Sequence, residues 1–214
     1  MEPQKLINSI NCSFRTFGRH SFRLIPSRHD GLCYIIEGTS SALNRFPNES
    51  EEVKVIEWFN DFWLFFSIKF KKIGTDEKRK VERKKESQIN THISLSIFQG
   101  DETDDKKCQL FRAEWDDYNN NSDEKHAQPH WHITSSQAIE STMEKYANVF
   151  EMHDFIEILE EEKRKVFDVK KIHFAMNGNW HNDGHHIHKV EQEQQIVRWL
   201  QGMLSHLRTE LVSL

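Results

Sequence analysis

Thr91-His92-Ile93-Ser94-Leu95-Ser96-Ile97-Phe98, Phe111-Arg112-Ala113-Glu114-Trp115-Asp116 and Pro129-His130-Trp131-His132-Ile133-Thr134 decide the fold when they are read together. Each alternates apolar and polar residues with the period of two that a half-buried strand requires. Ile93, Leu95 and Ile97 share one face, as do Phe111, Ala113 and Trp115, and then Trp131 and Ile133. His92, Ser94 and Ser96, then Arg112, Glu114 and Asp116, then His130 and His132 form the opposite face. The linkers Asp101 to Lys107 and Asp117 to Lys125 are polar and rich in Asp, Asn and Ser, as connections between antiparallel neighbours are. The expectation is a three-strand antiparallel meander with one apolar face and one polar face equipped for chemistry.

Upstream, Phe62, Leu64, Phe66, Ile68 and Phe70 alternate with Trp63 and Phe65, which predicts a further strand covered on both faces. Val53 to Phe59 reads either as its hairpin partner across Asn60-Asp61 or as a short helix, because Val55, Ile56, Trp58 and Phe59 match neither period. Ser13 to Phe17, Phe22 to Ile25 and Cys33 to Glu37 read as short strands separated by Gly18, Pro26 and the turn at Ser27 to Gly31, and residues 39–52 read as a polar connection.

Downstream, helices are expected from Gln137 to about Val149 and from Met152 to about Lys165, with a strand at Val169 to Met176. Val190, Val197, Leu200, Leu204, Leu207 and Leu211 recur as one stripe of a final amphipathic helix, expected to pack on the sheet. The predicted architecture is one α+β domain over residues 1–214, strand-rich over 10–134 and mostly helical over 135–214. In it, an antiparallel sheet of N-terminal and central strands packs against C-terminal helices.

Composition narrows the class. The chain of 214 residues carries 29 Lys+Arg against 34 Asp+Glu, a net charge of -5, which argues against a chain-wide nucleic-acid footprint. No stretch reaches the roughly 18 apolar residues of a membrane helix, since Ser67 and Lys69 interrupt the most hydrophobic one. The first 20 residues lack the basic start and apolar block of a secretory signal. Cys12, Cys33 and Cys108 are an odd set without CxxC spacing, so free thiols and a cytoplasmic location are expected. One local exception to the charge balance stands out. Lys69 to Lys85 contains nine basic residues against three acidic ones, and Lys78, Arg79, Lys80, Arg83, Lys84 and Lys85 are candidates for phosphate contacts as well as for a solvated loop.

Thirteen histidines fall mainly in two groups. His130 and His132 point the same way and, with Glu114 or Asp116 on the adjacent strand, could divide acid, base and orienting roles, with Arg112 offering a fixed fork for phosphate or carboxylate. His130 and His132 could equally bind a divalent metal, with His185 from the second group (His181, His185, His186, His188) closing over the sheet as a third ligand. The plainer alternative is a partly solvated polar face in which Arg112 and Glu114 form ion pairs. No HExxH, GxxxxGK[ST], GxGxxG or GxSxG is present, which removes the zinc-peptidase helix, the ATPase, the dinucleotide site and the α/β-hydrolase elbow.

Leu110-Phe111-Arg112-Ala113-Glu114-Trp115-Asp116 followed by His126-Ala127-Gln128-Pro129-His130-Trp131-His132-Ile133 resembles a pattern in small prokaryotic proteins of the TumE-like toxin family and neighbouring families, often encoded beside toxin–antitoxin or phage-defence genes. Ala127 stands where such segments often carry proline. The resemblance implies a bacterial cytoplasmic protein working with a protein partner from the same locus. It places weight on Arg112, Glu114, His130 and His132 without supplying a reaction. Two functions are compatible with these residues. The first is a non-catalytic subunit of a defence or toxin–antitoxin assembly that binds a partner and nucleic acid. The second is a histidine-dependent phosphodiesterase or ribonuclease, working with or without a metal.

Overall fold

The computed structural model describes residues 2–14, 20–45, 50–72, 89–103, 107–116, 129–133 and 192–212. The chain is α+β: an antiparallel sheet of eight strands with a helix at each end of the described chain. The elements are α1 (Pro3–Ser13), β1 (Leu24–Pro26), β2 (Cys33–Ile36), β3 (Ser40–Arg45), β4 (Ser50–Phe59), β5 (Phe62–Lys72), β6 (Ile89–Gln99), β7 (Cys108–Asp116), β8 (His130–Ile133) and α2 (Glu193–Val212). The main path runs β1-β2-β5-β6-β7-β8.

The predicted meander is present as β6, β7 and β8. Its register places Ser94 opposite Glu114 and Glu114 opposite His130, then Ser96 opposite Arg112 and Arg112 opposite His132. Directly opposed residues project to the same face, so these pairs carry a row of polar side chains across three strands. On the other face, Leu64, Phe66 and Ile68 join Ile93, Leu95, Ile97, Phe111 and Ala113, all fully buried. α2 covers this face with Ile196, Leu200, Met203, Leu204, Leu207 and Leu211, and Trp199 meets Trp115 with ring centroids 5.3 Å apart. The stripe expected on the last helix is thus used in the core, with Ile196 and Met203 added and Val197 only half-buried. Val190 and the elements expected over 137–149, 152–165 and 169–176 lie outside the described residues. No helix among the described residues is long and apolar enough to cross a membrane.

The structure corrects two parts of the expected N-terminal region. Ser13 ends a helix rather than starting a strand, and the Phe14 N–H closes its last turn on the Ile10 carbonyl. Pro3 suits the first turn, and Leu6, Ile7 and Ile10 recur at helical spacing to reach the core. The strand-rich region therefore begins with β1. In the polar connection expected at 39–52, residues 40–45 form β3 and residues 50–52 begin β4. Its inward residues are Ala42 and Asn44, so apolar alternation is too sparse to mark it.

β4 is a strand, which settles the choice left open at Val53 to Phe59. It turns into β5 at Asn60, whose φ of 51° is the left-handed geometry a tight hairpin turn favours. A register shift between Glu57 and Phe59 explains why the segment matches neither period. Up to Val55 the same strand pairs with β3, and from Ile56 it pairs with β5. β3 is thereby carried across the polar face of β6 and β7. Gly38, just before β3, lies so close to β4 that a Cβ there would fall 2.4 Å from the Lys54 carbonyl carbon. The close crossing therefore requires glycine.

Candidate metal centre

Under β3, the polar face is a closed hydrogen-bond network rather than a wet surface. Asn44, Ser96, Gln109 and Arg112 are at most 4% exposed. Ser96 Oγ and Gln109 Nε2 both donate to Asn44 Oδ1, at 2.9 and 3.0 Å, and the Arg45 N–H donates to Gln109 Oε1 at 2.6 Å. Arg112 Nη1 donates to the Arg45 carbonyl at 2.7 Å. Burying these groups is tolerable because most of their polar atoms are partnered; Asn44 Nδ2 has no partner among the described residues.

Arg112 carries this network to the site. Its Nε lies 2.8 Å from Glu114 Oε1, and both side chains are shielded, at 5% and 13% exposure. The guanidinium faces inward to Glu114 and Arg45, which turns the expected phosphate fork into a brace for a carboxylate. His92 Nε2 approaches the same Oε1 at 3.7 Å. The other oxygen, Oε2, faces β8: His132 Nε2 lies 2.8 Å away and His130 Nε2 3.5 Å away. The two Nε2 atoms are themselves 2.7 Å apart.

In the triangle of these three donors, two short contacts at His132 Nε2 compete for a single proton. A neutral imidazole presents at Nε2 either one proton or one lone pair. If His130 donates to His132, the latter turns a lone pair toward the carboxylate 2.8 Å away. If His132 donates to Glu114, the short contact between the histidines has to share that same proton. A cation at the centre accepts a lone pair from all three. Donor atoms on a tetrahedral ion with bonds of about 2.0–2.2 Å stand about 3.3–3.6 Å apart; the 3.5 Å between His130 and Glu114 matches this, and the 2.7 and 2.8 Å contacts of His132 would open by about 0.6 Å on ligation. Glu114, His130 and His132 are the group of metal-capable side chains among the described residues whose donor atoms all lie within 4.8 Å of one another.

No known protein family, curated protein or solved structure matches this chain. The chemistry of the site therefore rests on its own geometry.

Of the residues expected from sequence, the structure brings together Arg112, Glu114, His130 and His132. Glu114 moves from an orienting role to that of third donor, the place expected for His185, which lies outside the described residues. Lys78, Arg79, Lys80, Arg83, Lys84 and Lys85 lie outside them as well. His92, expected on the same polar face, also lies beside Glu114, and Ser94 is an addition, legible in the alternation that put it there.

The electrostatics favour ligation at neutral pH. Burial alone would push the Glu114 carboxyl up, but the imidazoles of His130 and His92 and the Arg112 guanidinium outweigh it and hold the group well below the usual carboxylate range. His132 is held below the ordinary imidazole value, chiefly by burial and by the Arg112 charge, against the opposing pull of Glu114. Glu114 is thus anionic and His132 neutral at pH 7, the forms that bind metal.

Both shifts have the same sign for stability. The native state binds fewer protons than the unfolded chain, so the metal-free protein loses stability on acidification. The His132 contribution is complete above the ordinary histidine value of about 6.5 and is lost as pH falls below it; that of Glu114 is lost below about 4.3. The urea midpoint is expected to fall between pH 7.5 and 5.5, and to fall less in a His132→Gln variant. Equal slopes for the two proteins would contradict this assignment.

Proposed function

We propose that this protein is a metal-dependent hydrolase of the phosphodiesterase or ribonuclease class, acting in the cytoplasm, with Glu114, His130 and His132 as ligands of one divalent ion. The observation that carries this reading is the convergence of two Nε2 atoms and one carboxylate oxygen within 3.5 Å of each other, where two short contacts at His132 Nε2 compete for a single proton. Two imidazoles and a carboxylate suit zinc and its first-row neighbours better than magnesium or calcium, which take oxygen donors. Three protein ligands leave a position for water or substrate, as catalytic zinc sites do and structural ones do not. An ion held there lowers the pKa of bound water toward neutrality and stabilises charge developing on a phosphoryl oxygen.

The alternative, a non-catalytic subunit of a defence or toxin–antitoxin assembly with a partner encoded nearby, needs an open apolar surface, for which the stripe of the last helix is one candidate. That stripe is buried against the sheet. Val212 is the large hydrophobic side chain exposed among the described residues, so the described surface offers this alternative little support.

The test is metal content by plasma mass spectrometry on untagged protein, alongside hydrolysis of bis(p-nitrophenyl) phosphate and of a mixed-sequence RNA. Near-stoichiometric zinc, manganese, iron or nickel is expected in the wild type. The folded His130→Ala/His132→Ala variant should lose both the metal and the hydrolysis. Metal retained in that variant, or hydrolysis unaffected by chelation, would overturn the reading.

A further inference from the structure

The centre draws its three donors from β7 and β8, and the strand on the other side of Glu114 supplies none. β6 there presents His92 and Ser94, two residues apart on the polar face, with Ser94 directly opposite Glu114 in the ladder. Ser94 is 3% exposed, and its Oγ has no hydrogen-bond partner among the described residues. Such an atom is rare in a native interior and calls for a specific explanation. Bulk water does not reach it, and in the ladder it adjoins Glu114, so a group bound at the centre would offer it a partner.

His92 differs from the β8 histidines. It stands outside the group of three mutually close donors, and its Nε2 remains 3.7 Å from Glu114 Oε1, longer than a hydrogen bond. At 34% exposure it forms the open rim of the site. Beyond it in the ladder lies Lys69 of β5, paired opposite His92, with a side chain 61% exposed and only a 3.9 Å approach to Asp30. A buried hydroxyl, an imidazole at the rim and an exposed ammonium thus follow one another on the β6 side of the carboxylate.

We propose that His92 and Ser94 form the ligand-binding side of the centre and that the ligand is a phosphate-type oxyanion. One oxygen occupies the open metal position and accepts from Ser94 Oγ, another accepts from His92 Nε2, and Lys69 supplies the balancing charge. This assignment rests on the metal reading above and extends it to substrate class. Hydroxyl, imidazole N–H and ammonium are all donors, which suits a group carrying several acceptor oxygens.

The test uses the zinc-loaded full chain and inorganic phosphate as the probe, titrated by calorimetry, with metal content measured on the same samples. Ser94→Ala and His92→Gln are expected to retain wild-type zinc stoichiometry while each weakens phosphate binding about tenfold, the effect of one hydrogen bond to a charged group. Ser94→Ala deletes a hydroxyl that makes no hydrogen bond among the described residues of the metal-free chain. Its melting temperature without metal is therefore expected to equal or exceed the wild-type value. Lys69→Gln should weaken phosphate binding and reduce its salt dependence. Unchanged phosphate affinity in both β6 variants with zinc retained would overturn the proposal and leave the metal centre standing. Zinc-loaded wild type that binds no phosphate would do the same. Failure of the wild type to hold zinc would overturn both.

Discussion

Replacing Arg112 with leucine is expected to destabilise the metal-free protein by about 3–5 kcal/mol, the range for removing one partner of a buried ion pair. Arg112 is 4% exposed, and its Nε and Nη1 reach Glu114 and the Arg45 carbonyl. Without the guanidinium, Glu114 keeps its charge in a shielded position, and the Arg45 carbonyl loses its donor where β3 crosses the sheet. The effect should not come from lost packing, because leucine fills much of the space. A double variant, Arg112→Leu with Glu114→Leu, isolates the electrostatic part. It removes the stranded carboxylate along with its brace and is expected to recover more than half of the loss. Urea unfolding at pH 7.5 with a chelator present measures both. A single-variant loss below about 1 kcal/mol, or a double variant no better than the single, would show that the pair is not coupled in this way.

Phe66→Ala should produce a loss of similar size by a different route. Phe66 is fully buried in the centre of β5, and its ring lies 5.8 Å from that of Phe22. It faces Leu95 in the ladder, which in turn faces Ala113. Alanine already occupies one position of that row, so the neighbours have little side chain with which to fill a second gap. Loss of the transferred surface plus a residual cavity is expected to cost about 3–5 kcal/mol. Lys72→Ala, at an exposed position of the same strand, should remain within about 0.5 kcal/mol. Equal effects at the two positions would contradict the assignment of this face to the core. Phosphate affinity in zinc-loaded Phe66→Ala, below its melting temperature, should be close to wild type because the centre lies on the opposite face.

These variants separate two supports of the same sheet. Phe66 acts on the helix-covered face, where burial of apolar area under α2 dominates. Arg112 acts on the other, where the polar groups are partnered through β3. The Glu114 carboxylate sits at the edge of this second layer, held from beneath by Arg112 while its far oxygen faces the histidines of β8. Rigid support of this kind keeps ligating carboxylates and imidazoles oriented before the metal arrives.

Strand period alone determined which residues could meet at the site. Alternation put His92, Ser94, Arg112, Glu114, His130 and His132 on one face, and the antiparallel meander brought their strands side by side. The stripe from Val197 to Leu211 marked the last helix in the same way, because a helical period is written directly in side-chain order. Local periodicity does not state what covers a face, and three features followed from that. The strand β3 escaped notice because its inward residue is Asn44, a polar side chain made buriable only by Ser96 and Gln109 from distant strands. Arg112 read as a fork for substrate because nothing near it in the chain shows that Arg45 lies across it. Glu114 joins His130 and His132 as a third candidate ligand only through the register of β7 against β8. Side-chain order along a strand sets which way each group points, whereas the partner it meets depends on chain crossings tens of residues away, and those are decided by the tertiary fold.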